Sequence, residues 1–194
     1  MKHIHDALKP LVGTPFVIHE DGTSQTKLTN KGRFGNYVEG LFGISPNKDP
    51  GPDTSWAEIK TARSDYFKDC SIGNLREVDY QAIKAGQQAL WKDSFVYSKI
   101  NSTLFVFYSS DSGYNPEYTI NGYKLVKIRE DNPTFQNDWS KIVTRIKESY
   151  SYNDIDFTGL NTSYLSMQIK GNKNGLYPNM KFKASFIRYI HSLN

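Results

Sequence analysis

In the segment PDTSWAEIKT, residues 52–61, apolar and charged side chains alternate from Ala57 to Lys60, and a run rich in turn formers, SPNKDPGPD, leads into it. Alternation of this kind belongs to a β-strand, in which successive side chains point to opposite faces. Ala57 and Ile59 then turn toward a core while Glu58 and Lys60 share the other face. Asp53, across a short bend, brings a second carboxylate to the same edge. Two carboxylates with a strand carbonyl form an all-oxygen site suited to Mg²⁺, a hard cation that keeps water in its shell. A lysine beside such a site stabilises charge developing on a phosphate or orients the attacking water. The plain alternative is a solvated strand face that happens to carry E-x-K.

Elsewhere, strand-like and helix-like segments interleave. Phe34, Tyr37, Val38, Leu41 and Phe42 recur at helical spacing, which predicts a helix over 30–42 with Thr29 or Asn30 as cap and Gly43 as terminator. Residues 81–91 read as a second helix, and NDWSKIVTRIKES as a third with Trp139, Ile142, Val143 and Ile146 on one face. Residues 104–108 (LFVFY) and 123–128 read as strands, and YLSMQIKG and KFKASFIRYI as two final strands. The pattern predicts an α/β or α+β domain around a mixed sheet flanked by helices, with 1–194 as one domain. The lone Cys70 excludes an intrachain disulfide and a thiolate zinc cage, and His3, His5, His19 and His191 lack metal-ligand spacing. Without an apolar run of membrane-spanning length or a secretory block, the expectation is a soluble cytoplasmic protein with no membrane partner.

Charge is segregated along the chain. Beyond Asp156 there is no Asp or Glu, whereas Lys170, Lys173, Lys181, Lys183 and Arg188 contribute +5 to a total of +4. Segregation of this kind is the footprint of polyanion binding, and the mixture of β-branched and aromatic residues with these lysines separates the segment from a solvated basic tail.

On the helix over 30–42, Gly32, Gly35 and Glu39 fall on one stripe beside the apolar face. Each glycine costs a helix roughly 1 kcal/mol relative to alanine, so solubility alone does not account for them. Glycines there let a large partner approach the backbone and place Glu39 where a third acid would stand; the alternative is an ordinary exposed carboxylate.

These residues carry a resemblance. NKGRFGNYVEGLFG, PDTSWAEIKT and WKDSFVYSKINSTLFVFY resemble, in order, three blocks of the MutH family of PD-(D/E)xK endonucleases, which comprises the mismatch-repair nicking enzyme and related type II restriction enzymes. The matching positions are Lys31, Gly32, Gly35 and Glu39; Asp53, Glu58 and Lys60; and Trp91, Ser94 and Lys99. NDWSKIVTRI, SMQIKGNK and FKASFIR resemble the family's late helix and its two DNA-facing strands, so that the likeness spans residues 28–190. The resemblance implies a restriction-endonuclease-like fold in which Glu39, Asp53 and Glu58 bind or position Mg²⁺ and Lys60 and Lys99 serve the scissile phosphate. It further implies DNA contacts from Lys31, Arg33, Ser94, Lys170, Lys173 and Lys183, with Lys170 reading a base and Lys183 clamping a phosphate. The chain departs from the family in a shorter gap between Asp53 and Glu58, and in lysine at Lys170 where arginine is expected.

The implied activity is Mg²⁺-dependent, site-specific hydrolysis of double-stranded DNA by a type II restriction enzyme, acting as monomer or homodimer. The alternatives are a strand-nicking repair enzyme, a non-catalytic DNA-binding module of nuclease fold, and a basic protein that binds RNA or a membrane surface.

Overall fold

The apolar run 104–107 sits at the centre of the molecule with both of its faces covered. Leu104 and Val106 pack into one hydrophobic core and Phe105 and Phe107 into another, and all four are buried. A continuous apolar run, rather than an alternating one, marks a strand buried on both sides. In the computed structural model, residues 2–19, 32–45, 51–111, 116–172 and 175–193 are described. The elements are α1 (Lys2–Leu8), β1 (Phe16–Val17), α2 (Arg33–Leu41), β2 (Glu58–Arg63), β3 (Cys70–Asn74), α3 (Glu77–Lys84), α4 (Phe95–Ile100), β4 (Ser102–Ser110), β5 (Glu117–Lys127), α5 (Pro133–Glu148), β6 (Leu165–Asn172), β7 (Gly175–Phe182) and α6 (Ala184–Ser192).

The strands form two sheets. One is mixed and four-stranded, in the order β1-β5-β4-β2, with β2 parallel to β4 and the other pairs antiparallel. The other is antiparallel and three-stranded, in the order β3-β7-β6. Ile4 and Leu8 of α1 and Phe34 and Val38 of α2 cover one face of the mixed sheet, against Ile59, Leu104, Val106 and Ile120. Helices α3 to α6 and the three-stranded sheet close over the other face, around Phe105, Trp139, Phe182 and Phe186. Among the described residues no helix is long and apolar enough to cross a membrane.

Several boundaries differ from those the sequence predicts. The first predicted helix is α2, Arg33–Leu41; Thr29 and Asn30 lie outside the described residues, and the cap position is Gly32, which offers no side chain. Its end is as predicted. Gly43 takes φ 72°, and the Ile44 N–H reaches back to the Glu39 carbonyl at 3.1 Å, which satisfies a carbonyl of the last turn. The second helix runs over Glu77–Lys84 rather than 81–91, because Gly86 at φ 85° turns the chain out of the helix; Trp91–Asp93 form a separate 3₁₀ turn. The segment KFKASFIRYI is not one strand. Strand β7 ends at Phe182, and ASFIRYIHS is helix α6, whose Phe186, Ile187 and Ile190 recur at helical spacing on the core side. Aromatic and β-branched content concealed that period.

Helix α5 and strand β6 are joined by Asp138, a carboxylate with no solvent exposure on the inner face of α5. It accepts from the main-chain N–H groups of Ser163, Tyr164 and Leu165 at 2.8, 2.6 and 2.9 Å, which fixes where β6 begins. Hydrogen bonds to a charged group are worth about twice neutral ones, and donors left bare in a core cost more. Asp138→Ala is therefore expected to lower stability by about 3 kcal/mol and the melting temperature by roughly 6 to 12 °C, read by thermal unfolding. An unchanged melting temperature would show that these donors find other acceptors.

Candidate active site

Glu58 opens strand β2 and is fully buried. Both faces of β2 are covered: Ile59 enters the core under α2, while Ala62, on the side of Glu58 and Lys60, enters the core between the two sheets. The solvated-face reading of Glu58 therefore fails. A carboxylate in such a place has to be matched group by group. Its Oε1 lies 2.5 Å from Lys60 Nζ and 3.4 Å from Lys99 Nζ, and its Oε2 accepts from the Asp53 N–H at 3.2 Å. Asp53 answers across the bend, its Oδ2 accepting from the Ile59 N–H at 2.8 Å. Thr54 closes the bend, with Oγ1 donating to the Ala57 carbonyl and accepting from the Trp56 and Ala57 N–H groups. Two carboxylates five residues apart are thus held by reciprocal main-chain bonds, and the short gap is sufficient to bring them together.

Lys99 arrives from the last turn of α4, a helix started by Ser94, whose hydroxyl accepts from the Tyr97 N–H at 3.0 Å. Besides Glu58, its ammonium reaches the Gly51 carbonyl at 2.8 Å, so it points into the site rather than guarding the edge of β4. Glu39, half-buried near the end of α2, belongs to the same electrostatic unit. Burial raises its carboxyl above the ordinary range, the Asp53 charge adds to that, and the Lys60 charge opposes it. Burial likewise raises Glu58 against the pull of Lys60. For Lys60, burial pushes the ammonium down, but Glu58, Cys70 and Asp53 together carry it above the usual lysine value.

The five residues that the sequence singles out thus converge. Among the described residues, no group of three or more His, Cys, Asp and Glu side chains is arranged to hold a metal ion. Of the Glu58 oxygens, Oε2 takes the Asp53 N–H, whereas Oε1 is met by charge alone and makes no hydrogen bond among the described residues. The donor chemistry nevertheless fits a hard divalent cation: every ligand is a carboxylate, and Asp53 and Glu58 both press on Glu39 with like charge that a cation would relieve.

A cleft of about 740 Å³ opens along β2, lined among others by Glu39, Lys60, Arg63, Tyr66, Lys68 and Cys70. Arg63 closes β2 and Tyr66 and Lys68 lie on the segment after it, which has no periodicity, so the sequence does not group the three. Their signal is mutual: Tyr66 is exposed and carries the Arg63 guanidinium 4.5 Å and the Lys68 ammonium 4.6 Å from its ring centre. Cys70 lies against the site, and burial pushes its thiol up.

The predicted DNA contacts are placed less uniformly. Ser94 is buried and caps α4, donating to the Trp91 carbonyl at 2.7 Å. Arg33 is buried and donates to the Ile18 carbonyl. Lys183 stands at the start of α6 rather than on a strand, its ammonium on the Thr162 carbonyl. Lys170 lies on the face of β6 opposite the core, where burial and then the Lys181 charge lower its pKa. Lys31 and Lys173 lie outside the described residues.

No family model matches the sequence, and no curated protein matches it. The fold is nonetheless recognisable as restriction-endonuclease-like, a mixed sheet flanked by helices. A solved complex of the restriction endonuclease MvaI with its cognate DNA substrate superposes on it with a TM-score of 0.56, over 97% of this chain and 94% of that one, at 10% sequence identity.

The two glycines inside α2, Gly35 and Gly40, are not demanded by packing among the described residues. A Cβ at Gly35 would meet only Thr61 Oγ1 at 3.8 Å, an ordinary contact, and one at Gly40 would meet nothing among the described residues. Gly35→Ala is therefore expected to stabilise the protein by about 0.5 to 1 kcal/mol and to raise the melting temperature by roughly 1 to 4 °C. A lower melting temperature would mean that α2 is pressed against β2 more tightly than this spacing.

Proposed function

We propose that the protein is a Mg²⁺-dependent DNA endonuclease of the MutH-like, PD-(D/E)xK kind, a site-specific type II restriction enzyme built as one catalytic domain over 1–194. The observation that supports this reading best is Glu58, a fully buried carboxylate bridged by Lys60 and Lys99 and joined to Asp53, with Lys60 and Glu39 lining the adjoining cleft. A buried acid between two lysines is an expensive arrangement for stability alone. The restriction-endonuclease-like fold and the acid-free basic segment beyond Asp156 agree with a DNA substrate.

Asp53 and Glu58, with Glu39 from α2, would hold Mg²⁺. Bound there, the cation supplies Lewis acidity toward a phosphoryl oxygen and acidifies a water to serve as nucleophile. Lys60, with its ammonium held charged by Glu58, stabilises the negative charge that gathers on the phosphate as water attacks in line. Lys99 anchors the 51–53 bend through the Gly51 carbonyl, and its charge opposes the rise that burial imposes on the Glu58 carboxyl. Gly35 leaves the wall of the cleft low, so a nucleic-acid backbone can approach α2 closely. One site per chain gives one nick per encounter, and cutting both strands takes a second copy or a second encounter. In this scheme Lys170 contacts the duplex, and the resemblance adds Lys31 and Lys173 to the DNA contacts.

The experiment is incubation of supercoiled plasmid with purified protein in Mg²⁺ or EDTA, read as nicked and linear bands. Cleavage is expected in Mg²⁺ alone. Glu58→Ala, Asp53→Ala and Lys60→Ala should each lower the rate at least about 100-fold, whereas affinity for duplex DNA in EDTA changes little for the two acid variants. Glu39→Gln should slow cleavage without lowering the melting temperature. Mg²⁺-dependent cutting at the wild-type rate by Glu58→Ala would remove that residue from the centre.

A further inference from the structure

The three-stranded sheet carries polar chemistry that the catalytic centre does not use. Its inner face packs Leu165, Met167, Met180 and Phe182 into the core. On its outer face, residues from all three strands stand in register: Asn74 of β3 pairs with Asn179 of β7, and Asn179 with Gln168 of β6. Three amides therefore form a rank across the sheet. Strands lie about 4.8 Å apart, so the rank spans roughly 10 Å, close to the ~12 Å width of the DNA major groove.

The members of the rank differ in commitment. Asn179 is buried, and its amide nitrogen reaches Ser71 Oγ, the Gly73 carbonyl and Asn74 Oδ1 at 3.0, 3.1 and 2.9 Å. It is the fixed centre. Gln168 is half-buried on the outermost strand, and its amide makes no hydrogen bond among the described residues. Lys170 and Lys181 flank the rank; strands β3, β6 and β7 contain no acidic residue, and Asp69, just before β3, lies 4.0 Å from the Lys181 ammonium. The face is also continuous with the cleft, because Ser71, bonded to Asn179, lines both.

We infer that this face reads base edges in the major groove and that Gln168 pairs with an adenine of the target. An amide offers one donor and one acceptor in a plane, which matches adenine N7 and N6–H together; a lysine offers donors alone and matches guanine. The flanking lysines meet phosphates or guanine beside that base. Asn179 acts as a positioning residue that sets the height of the rank. The inference rests on the DNA reading of the cleft and adds the base that the target must contain.

Duplexes randomised over about a dozen base pairs are equilibrated with the full-length protein in EDTA, and the bound fraction is sequenced. Wild-type protein is expected to enrich a motif with an A·T pair at one fixed position. Gln168→Ala, on an edge strand where loss of the amide leaves the core intact, should enrich the same motif with that position open. Its affinity for the selected duplex should fall roughly 10- to 100-fold at an unchanged melting temperature. Replacing that adenine by 7-deazaadenine, which lacks the N7 acceptor, should weaken the wild type and leave Gln168→Ala unaffected. A motif without A·T, the absence of any motif, or a Gln168→Ala motif that keeps its A·T pair overturns the inference. Plasmid nicking in Mg²⁺ without an enriched motif would leave the nuclease reading standing and this one lost; an enriched A·T motif without cutting would do the reverse.

Discussion

Burying the carboxylate of Glu58 is the condition that organises this molecule. An ionised acid in a core is tolerable only when its oxygens are met by opposite charge and by donors, and removing one partner exposes the full cost of the rest. Here the partners come from three places: Lys60 from the same strand, Lys99 from the end of α4, and the Asp53 N–H from the bend that precedes β2. Each partner fixes the element that carries it. The site is therefore also a fastening between β2, α4 and the loop at 51–53, and its chemistry and its fold draw on the same contacts.

The mixed sheet shows how this was arranged. Strand β4 is apolar on both faces because it lies between two cores, and β2 pairs with it in parallel through Glu58 opposite Thr103 and Lys60 opposite Phe105. As the outermost strand of its sheet, β2 is the place where a charged pair can be packed from behind and still open sideways onto a cleft. An interior strand would have had no free edge, and a strand with one solvated face would have left Glu58 in water.

How much of this is legible in the sequence depends on distance along the chain. The 53–60 cluster is local, and strand alternation with a short bend is enough to bring Asp53, Glu58 and Lys60 together. Lys99 and Glu39 join it through tertiary packing; the glycine stripe points to Glu39, and only the resemblance to a nuclease family points to Lys99. The burial of Glu58 was invisible, because alternation shows which residues share a face and not what covers that face. The late segment hides its structure for a related reason: FIRYI suits a strand by composition, and its helical period shows only with Phe186, Ile187 and Ile190 on one side. Ser94, Arg33 and Lys183 look like polar residues awaiting a ligand in sequence, whereas the fold uses each to satisfy its own backbone.

The parallel pairing of β2 with β4 has a consequence for how the centre comes into being. Glu58 and Thr103 are neighbours in space but about 45 residues apart in sequence, and closing a loop of that length costs chain entropy before any contact repays it. Asp53 and Glu58 can approach each other early, through the Thr54 bend. Lys99 cannot reach them until β4 has docked. A growing or partly folded chain thus carries two acids without their second lysine, and the complete set of charges appears only when the sheet closes.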